Sequence, residues 1–219
     1  MSKETTAVLV VDHLAVVAPT LAQGVAHVRA CLGLAIPEGG RHREMGTRNH
    51  LLRLGDAVFL EVIALDPDAP APGGARWFGL DDAAAVRADW EAGRRLRGIV
   101  ARTVDLDVVL AARPDLFGQA VTVTRGALSW RFGLRADGAW PADGMLPYVM
   151  DWGASGNPAH TMLDLGARLT GLTLECPDPV SAAALHRAVG LTDPPTMRAG
   201  PVPRWEAAIA TPSGARILT

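Results

Sequence analysis

The stretch "VLVVDHLAVVAPTLAQGVAHVRACLGL", residues Val8 to Leu34, decides how the rest of the chain is read. Val8 to Ala18 is apolar and rich in β-branched residues, which suits a strand, and Pro19 ends it. Thr20 is placed to cap a helix in which Leu21, Val25, Val28 and Leu32 recur at helical spacing, and Gly33 closes it. Yet Asp12 and His13 interrupt the strand. The histidine points to a strand that floors a cleft rather than a dry core.

Downstream, "TRNHLLRLGDAVFLEVIA" reads as a hairpin, with strands over Thr47–Leu54 and Ala57–Ala64 and a turn at Gly55-Asp56. With a short strand near Arg41, residues 7–65 form a β-α-β-β-β unit. The order returns near the C-terminus: "RLTGLTLECPDPVSAAALHRAVGL" aligns with the opening stretch, and "AAIATPSGARILT" aligns with the hairpin. His13 there aligns with Gly171 and Glu61 with Thr219. Between the copies, "GIVARTV", "DLDVVLAAR", "QAVTVTRGALSWRFGLR" and "MLPYVMDWG" give strand, helix, hairpin and strand, a third and more diverged unit. The expected organisation is one α+β domain, residues 1–219. It has modules at 7–65, 98–153 and 167–219 and a loop-and-helix insertion at 66–97. Within the insertion a helix capped by Asp82 is expected to run to about Arg97, with Arg94, Arg95 and Arg97 in its solvated last turn.

Composition narrows the class. The formal net charge of −2 leaves no basic footprint for nucleic acid or an anionic membrane. No apolar run approaches the roughly 20 residues that span a bilayer, and the N-terminus lacks a signal-peptide design, so a cytoplasmic address is expected. Cys31 and Cys176 form no metal or disulfide pattern and read as packed thiols. His27 and His186, on helices among polar neighbours, read as solvated.

Alternation along strands selects the candidate site. Leu9, Val11, His13 and Ala15 are expected on one face of the first strand, and Phe59, Glu61 and Ile63 on one face of the last strand of the same unit. If these strands adjoin, His13 and Glu61 project from one side of the sheet. Such a pair can act as acid and base, can hold a divalent cation, or can simply satisfy each other. Further metal ligands would have to come from Asp151, placed in the middle unit where Glu61 stands in the first, and from His42, after a flexible Gly-Gly turn. Trp77, Trp130 and Trp152 are candidates for the walls of an apolar substrate pocket. Arg76 and Arg131, beside those aromatics, are the candidate anchors for an anionic substrate.

The segments "VDHLAVVAPTL", "GGRHREMGTRNHLLRLGDAVFLEVIA", "RWFGLDD" and "LPYVMDWG" resemble the vicinal-oxygen-chelate superfamily, which includes glyoxalases, extradiol dioxygenases and bleomycin-resistance proteins. Within it they resemble most the glyoxalase-like group of about this length. The resemblance implies cupped, mostly antiparallel sheets of paired βαβββ modules around a divalent metal. His13 matches the first-strand ligand, Glu61 the last-strand ligand, and Asp151 a last-strand acid. It implies either a lyase, isomerase or dioxygenase-type metalloenzyme acting on a small carbonyl or diol substrate, or a metal-free small-molecule sequestration protein. A homodimer is compatible with either.

Overall fold

The computed structural model describes residues 7–219 and shows an α+β architecture dominated by one large curled sheet. Its first half comprises β1 (Val10–Val17), α1 (Leu21–Leu32), β2 (Glu38–His42), β3 (Thr47–Arg53) and β4 (Phe59–Leu65). After the helix α2 (Ala83–Glu91) the second half follows. It contains β5 (Leu96–Arg102), α3 (Leu106–Ala112), the short α4 (Pro114–Phe117), β6 (Gln119–Arg125), β7 (Leu128–Leu134) and β8 (Tyr148–Asp151). The strand order is β2-β3-β4-β1-β5-β8-β7-β6. Each half therefore places its last strand parallel to its first, and the halves join back to back through the antiparallel pair β1 and β5. The two units that share the cup are thus the first and the middle one.

The C-terminal segment comprises β9 (Arg168–Cys176), α5 (Pro179–Ala188), β10 (Thr196–Ala199), β11 (Arg204–Thr211) and β12 (Gly214–Leu218). It repeats the element order but not the strand order, which is β10-β9-β11-β12. In the large sheet the free edge of β1 is taken by β5 of the adjoining half. β9 has no such neighbour, and its own β10 fills that edge, held by the Arg198–Glu175 ion pair. The last strand, β12, is consequently at the far edge. Gly171 and Thr219 do not face each other across adjoining strands as their sequence counterparts do.

Two cores result. Leu14, Val16, Leu60 and Val62 of the large sheet pack with Val28 and Leu32 of α1 and with Leu174, Trp205 and Ile209 of the small sheet. On the inner side of the cup Ala15, Val17, Phe59 and Ile63 pack with Trp77, Phe78, Trp130, Phe132, Trp140, Tyr148 and Trp152. Residues 66–82 reach this inner core as an arm. Phe78 holds it there in a left-handed backbone conformation (φ 60°), donating its N–H to Tyr148 Oη at 3.1 Å and accepting Trp140 Nε1–H at 3.1 Å.

Local expectations fared unevenly. α1 starts at Thr20, whose side chain accepts from Gln23 N–H, and ends on Gly33 at φ 70°. The helix capped by Asp82 stops at Glu91, because Gly93 turns the chain (φ 75°) and Arg97 already lies in β5. Arg94 and Arg97 are therefore not a solvated helix end; both clamp Asp89. Neither helix histidine is freely solvated. His186 is fully buried, donating Nε2–H to the Met145 carbonyl at 2.6 Å, and His27 is half-buried, with Nε2 2.9 Å from the Thr219 carbonyl.

Gly24 lets α1 come close to the sheet: a Cβ there would stand 2.5 Å from Val62 Cγ1 and 3.0 Å from Ala18 Cβ. Alanine gains roughly 1 kcal/mol of helix propensity over glycine, whereas overpacking costs about 1–3 kcal/mol. Gly24→Ala is therefore expected to lower stability by about 1 kcal/mol in urea denaturation. A variant more stable than wild type would refute this close packing.

Candidate functional site

The site begins with an irregularity in β1. Pairing with β5 slips between Val11 and His13. A β-bulge of this kind breaks the two-residue alternation and brings two successive side chains toward one side. Leu9 and Val11 consequently join the outer core with Leu14 and Val16, while His13 shares the inner face with Ala15 and Val17. The expectation that Leu9 and Val11 lie with His13 is corrected by this bulge. On β4 the alternation is regular, so Phe59, Glu61 and Ile63 share the inner face.

β1 and β4 adjoin in parallel, with His13 opposite Phe59 and Ala15 opposite Glu61. His13 and Glu61 therefore project from one side of the sheet, with Nε2 and Oε2 3.5 Å apart. At that distance the contact is an ion pair rather than a well-formed hydrogen bond. The other ring nitrogen, Nδ1, is 2.7 Å from Asp12 Oδ1. Asp12 is itself fixed: Trp152 Nε1–H and Asn157 Nδ2–H donate to its Oδ2 at 2.9 and 2.7 Å. Asn49, on β3, donates Nδ2–H to Glu61 Oε1 at 2.5 Å. The Phe59 ring stacks on the imidazole at 4.5 Å. Asp12, His13 and Glu61 are all buried.

Burial alone pulls the imidazole pKa down, but the hydrogen bonds and charges of Asp12 and Glu61 outweigh it and raise the value to about 9. Burial likewise pushes Glu61 upward, and the facing His13 outweighs that, leaving Glu61 at about 2. At neutral pH the centre is thus an imidazolium between two carboxylates. His42 shares the cavity but differs. Burial lowers it to about 4, so it is neutral, with Nδ1 3.1 Å from Thr47 Oγ1 and its ring edge-on to Trp77.

These groups surround a narrow cavity of about 30 Å³, walled by Phe59, Trp77, Trp130, Phe132, Met150 and Trp152. Of the sequence candidates, His13, Glu61, His42, Trp77, Trp130 and Trp152 meet here. Three do not. Asp151 and Arg131 are paired across β8 and β7, on the side opposite Phe132 and Met150. There Arg131 binds Asp107 of α3, and Asp151 Oδ1 accepts from Gly153 N–H at 2.8 Å. The count along β8 was one residue off: Glu61 lies two beyond the partner of His13, and the residue two beyond Tyr148, the partner of Val100, is Met150. Arg76 lies outside the cavity, bound to Asp81. Conversely, Asn49 and Arg125 belong to the site and were missed, and Asp12, noticed beside His13, was given no role in it. Asn49 was reachable, because hairpin alternation puts it on the face of Glu61. The bulge that places Asp12 has no such sequence signal.

The donors do not fit a divalent metal. The places that mirror His13 and Glu61 in the second half of the sheet carry Val100 and Met150, which are apolar. The two atoms left to face a cation, His13 Nε2 and Glu61 Oε2, lie against each other at 3.5 Å. Among the described residues no group of three or more His, Cys, Asp or Glu could hold an ion.

Paired βαβββ halves in one curled sheet, with polar residues on the inner strands, are the architecture of the vicinal-oxygen-chelate superfamily. Residues 11–190 match the family described as a glyoxalase-like domain, and the chain belongs to that family. The fold is similar to that of a hypothetical protein from Staphylococcus aureus (TM-score 0.62, 11% identity, 97% of this chain and 99% of that one). It is more distantly similar to methylmalonyl-CoA epimerases. A Streptomyces coelicolor epimerase variant in complex with 2-nitronate-propionyl-CoA has a TM-score of 0.42 and 19% identity, covering 68% of this chain and 99% of that one. The Mycobacterium tuberculosis enzyme has a TM-score of 0.41 and 17% identity, covering 71% and 95%. No curated protein matches the chain. No helix of the described residues is long and apolar enough to cross a membrane.

The charge arrangement has a pH signature. With a folded pKa near 9 against 6.5 unfolded, the protonation of His13 contributes stability in full below pH 6.5 and loses it as pH rises through about 9. Glu61 contributes above its ordinary 4.5 and loses its share as pH falls through about 2. ¹⁵N NMR is expected to find His13 protonated at pH 8. Asp12→Asn should lower its midpoint by at least about one unit, some 1.4 kcal/mol. A His13 that titrates near 6.5 in the wild type would contradict the arrangement.

Proposed function

We propose that the chain binds a small carbonyl or hydroxyl compound in the aromatic-walled cavity and moves a proton on it, with His13 as acid and Glu61 as base and without a metal. The observation that supports this most is the desolvated imidazolium held between Asp12 and Glu61 at the edge of a cavity. Asp12 keeps a proton on Nδ1, which leaves the Nε2–H facing Glu61 and the cavity. When a substrate oxygen takes that N–H, Glu61 loses the direct contact of His13 while its burial persists, so its pKa rises although the nearby imidazolium and Asn49 still restrain it. Glu61 becomes the stronger base at the moment it is needed. The C–H bond next to the carbonyl then breaks, its proton goes to Glu61, and its electron pair forms an enediol whose oxygen receives the proton of His13. Return of both protons closes the cycle.

A second reading is metal-free sequestration. Val100 and Met150 favour it because they leave apolar the two positions that mirror the charged pair.

Exchange of the carbon-bound protons of dihydroxyacetone in D₂O, followed by ¹H NMR, separates the readings. Wild type is expected to accelerate exchange, and His13→Gln and Glu61→Gln to reduce it by about 10²–10⁴-fold. Ligand binding with no exchange supports sequestration. Stoichiometric metal in protein purified without chelator, lost in both variants, would replace the proposal with metal-assisted chemistry.

A further inference from the structure

The cavity holds a cation that the acid–base pair does not use. β6 turns Val121, Val123 and Arg125 to the inner side of the cup, and Arg125 lines the cavity beside His13, Glu61 and the tryptophans. Its shaft crosses Gly40 on the opposite edge strand, where a Cβ would stand 2.9 Å from Arg125 Cδ. Glycine there lets the shaft pass without being displaced. Among the described residues its side chain forms no ion pair with a carboxylate. Its one hydrogen bond runs from Nη1 to Asn49 Oδ1 at 3.3 Å, long for a guanidinium, onto an oxygen that already accepts Gly40 N–H at 2.9 Å. Burial lowers its pKa, partly offset by the charge of Glu61. A guanidinium has five N–H donors in a flat fork that matches a carboxylate. The arginines that sequence pointed to as anchors are already occupied by Asp81 and Asp107. Among the described residues Arg125 is the cation at the cavity without a carboxylate partner.

We infer that Arg125 anchors the carboxylate of the ligand, and that the ligand is a small 2-oxo or 2-hydroxy carboxylate whose second oxygen meets His13. The inference rests on the reading of the cavity as a ligand site. Asn49 links the two ends: it hydrogen-bonds both Glu61 and Arg125, so anion and reacting carbon would be held in fixed relation. A cavity of about 30 Å³ holds little more than one water, so it must widen to admit a ligand, and we place that opening at the β2–β6 seam. That seam is bridged beside Arg125 by Glu44, which accepts from Thr124 N–H and Oγ1–H. A carboxylate replacing Asn49 Oδ1 exchanges a weak partner for a charged one.

Pyruvate and its uncharged ester methyl pyruvate are the probes, with His13 imidazole NMR signals reporting occupancy. Pyruvate is expected to shift those signals and to bind at least tenfold more tightly than the ester. Arg125→Gln should weaken pyruvate at least tenfold while changing the ester less than twofold, and Arg125→Lys should restore part of the loss. Equal affinity of the two probes, or pyruvate binding indifferent to Arg125→Gln, would overturn the anchor and leave the cavity reading standing. If neither probe moves the His13 signals in wild type, both fall.

Discussion

The arrangement depends on one imidazolium kept out of water by two carboxylates. An isolated charge in this position would be neutralised or expelled. Asp12 and Glu61 make it tenable, and each is in turn held by neutral donors, Trp152 and Asn157 on one side and Asn49 on the other. Arg102 ties the surroundings together, donating to the carbonyls of Val11 and Ala57 from 3.6 Å beside Asp12. These groups come from β1, β3, β4, β5 and the segment after β8. The charged centre therefore fixes how both halves of the cup meet, as well as what the cavity can do.

The sheet's own symmetry explains where function could arise. Two copies of one strand order, joined at β1 and β5, create two equivalent positions on the inner face. One half fills them with His13 and Glu61, the other with Val100 and Met150. The acid–base pair is confined to one half, while the other supplies packing and, from β6, the guanidinium of Arg125. The arm bearing Trp77 and Phe78 then closes the inner face, at the cost of a left-handed Phe78.

Much of the fold was legible from the opening stretch, because cap, period and turn residues agreed with one another from Thr20 to Gly33. The hairpin alternation was equally regular, and it placed Glu61 on the face where it is found. Reading failed where geometry departed from regularity. The bulge after Val11 reversed half of β1, a one-residue miscount moved Asp151 to the wrong face, and Gly93 ended a helix that composition would have continued. The third repeat shows a different limit. Its residues align with the first unit, but strand order is set by which edges are free, and that depends on neighbours the alignment does not contain.

The unequal halves of the cup have a stereochemical consequence. A guest molecule would find the acid–base groups on one wall, mostly carbon and sulfur on the wall that mirrors it, and a single guanidinium, Arg125, at the seam between them. It could not be turned over without losing its polar contacts. The pocket would therefore tell a flat molecule's two sides apart, and a proton returned to carbon by Glu61 would reach only one of them, giving a product of single handedness.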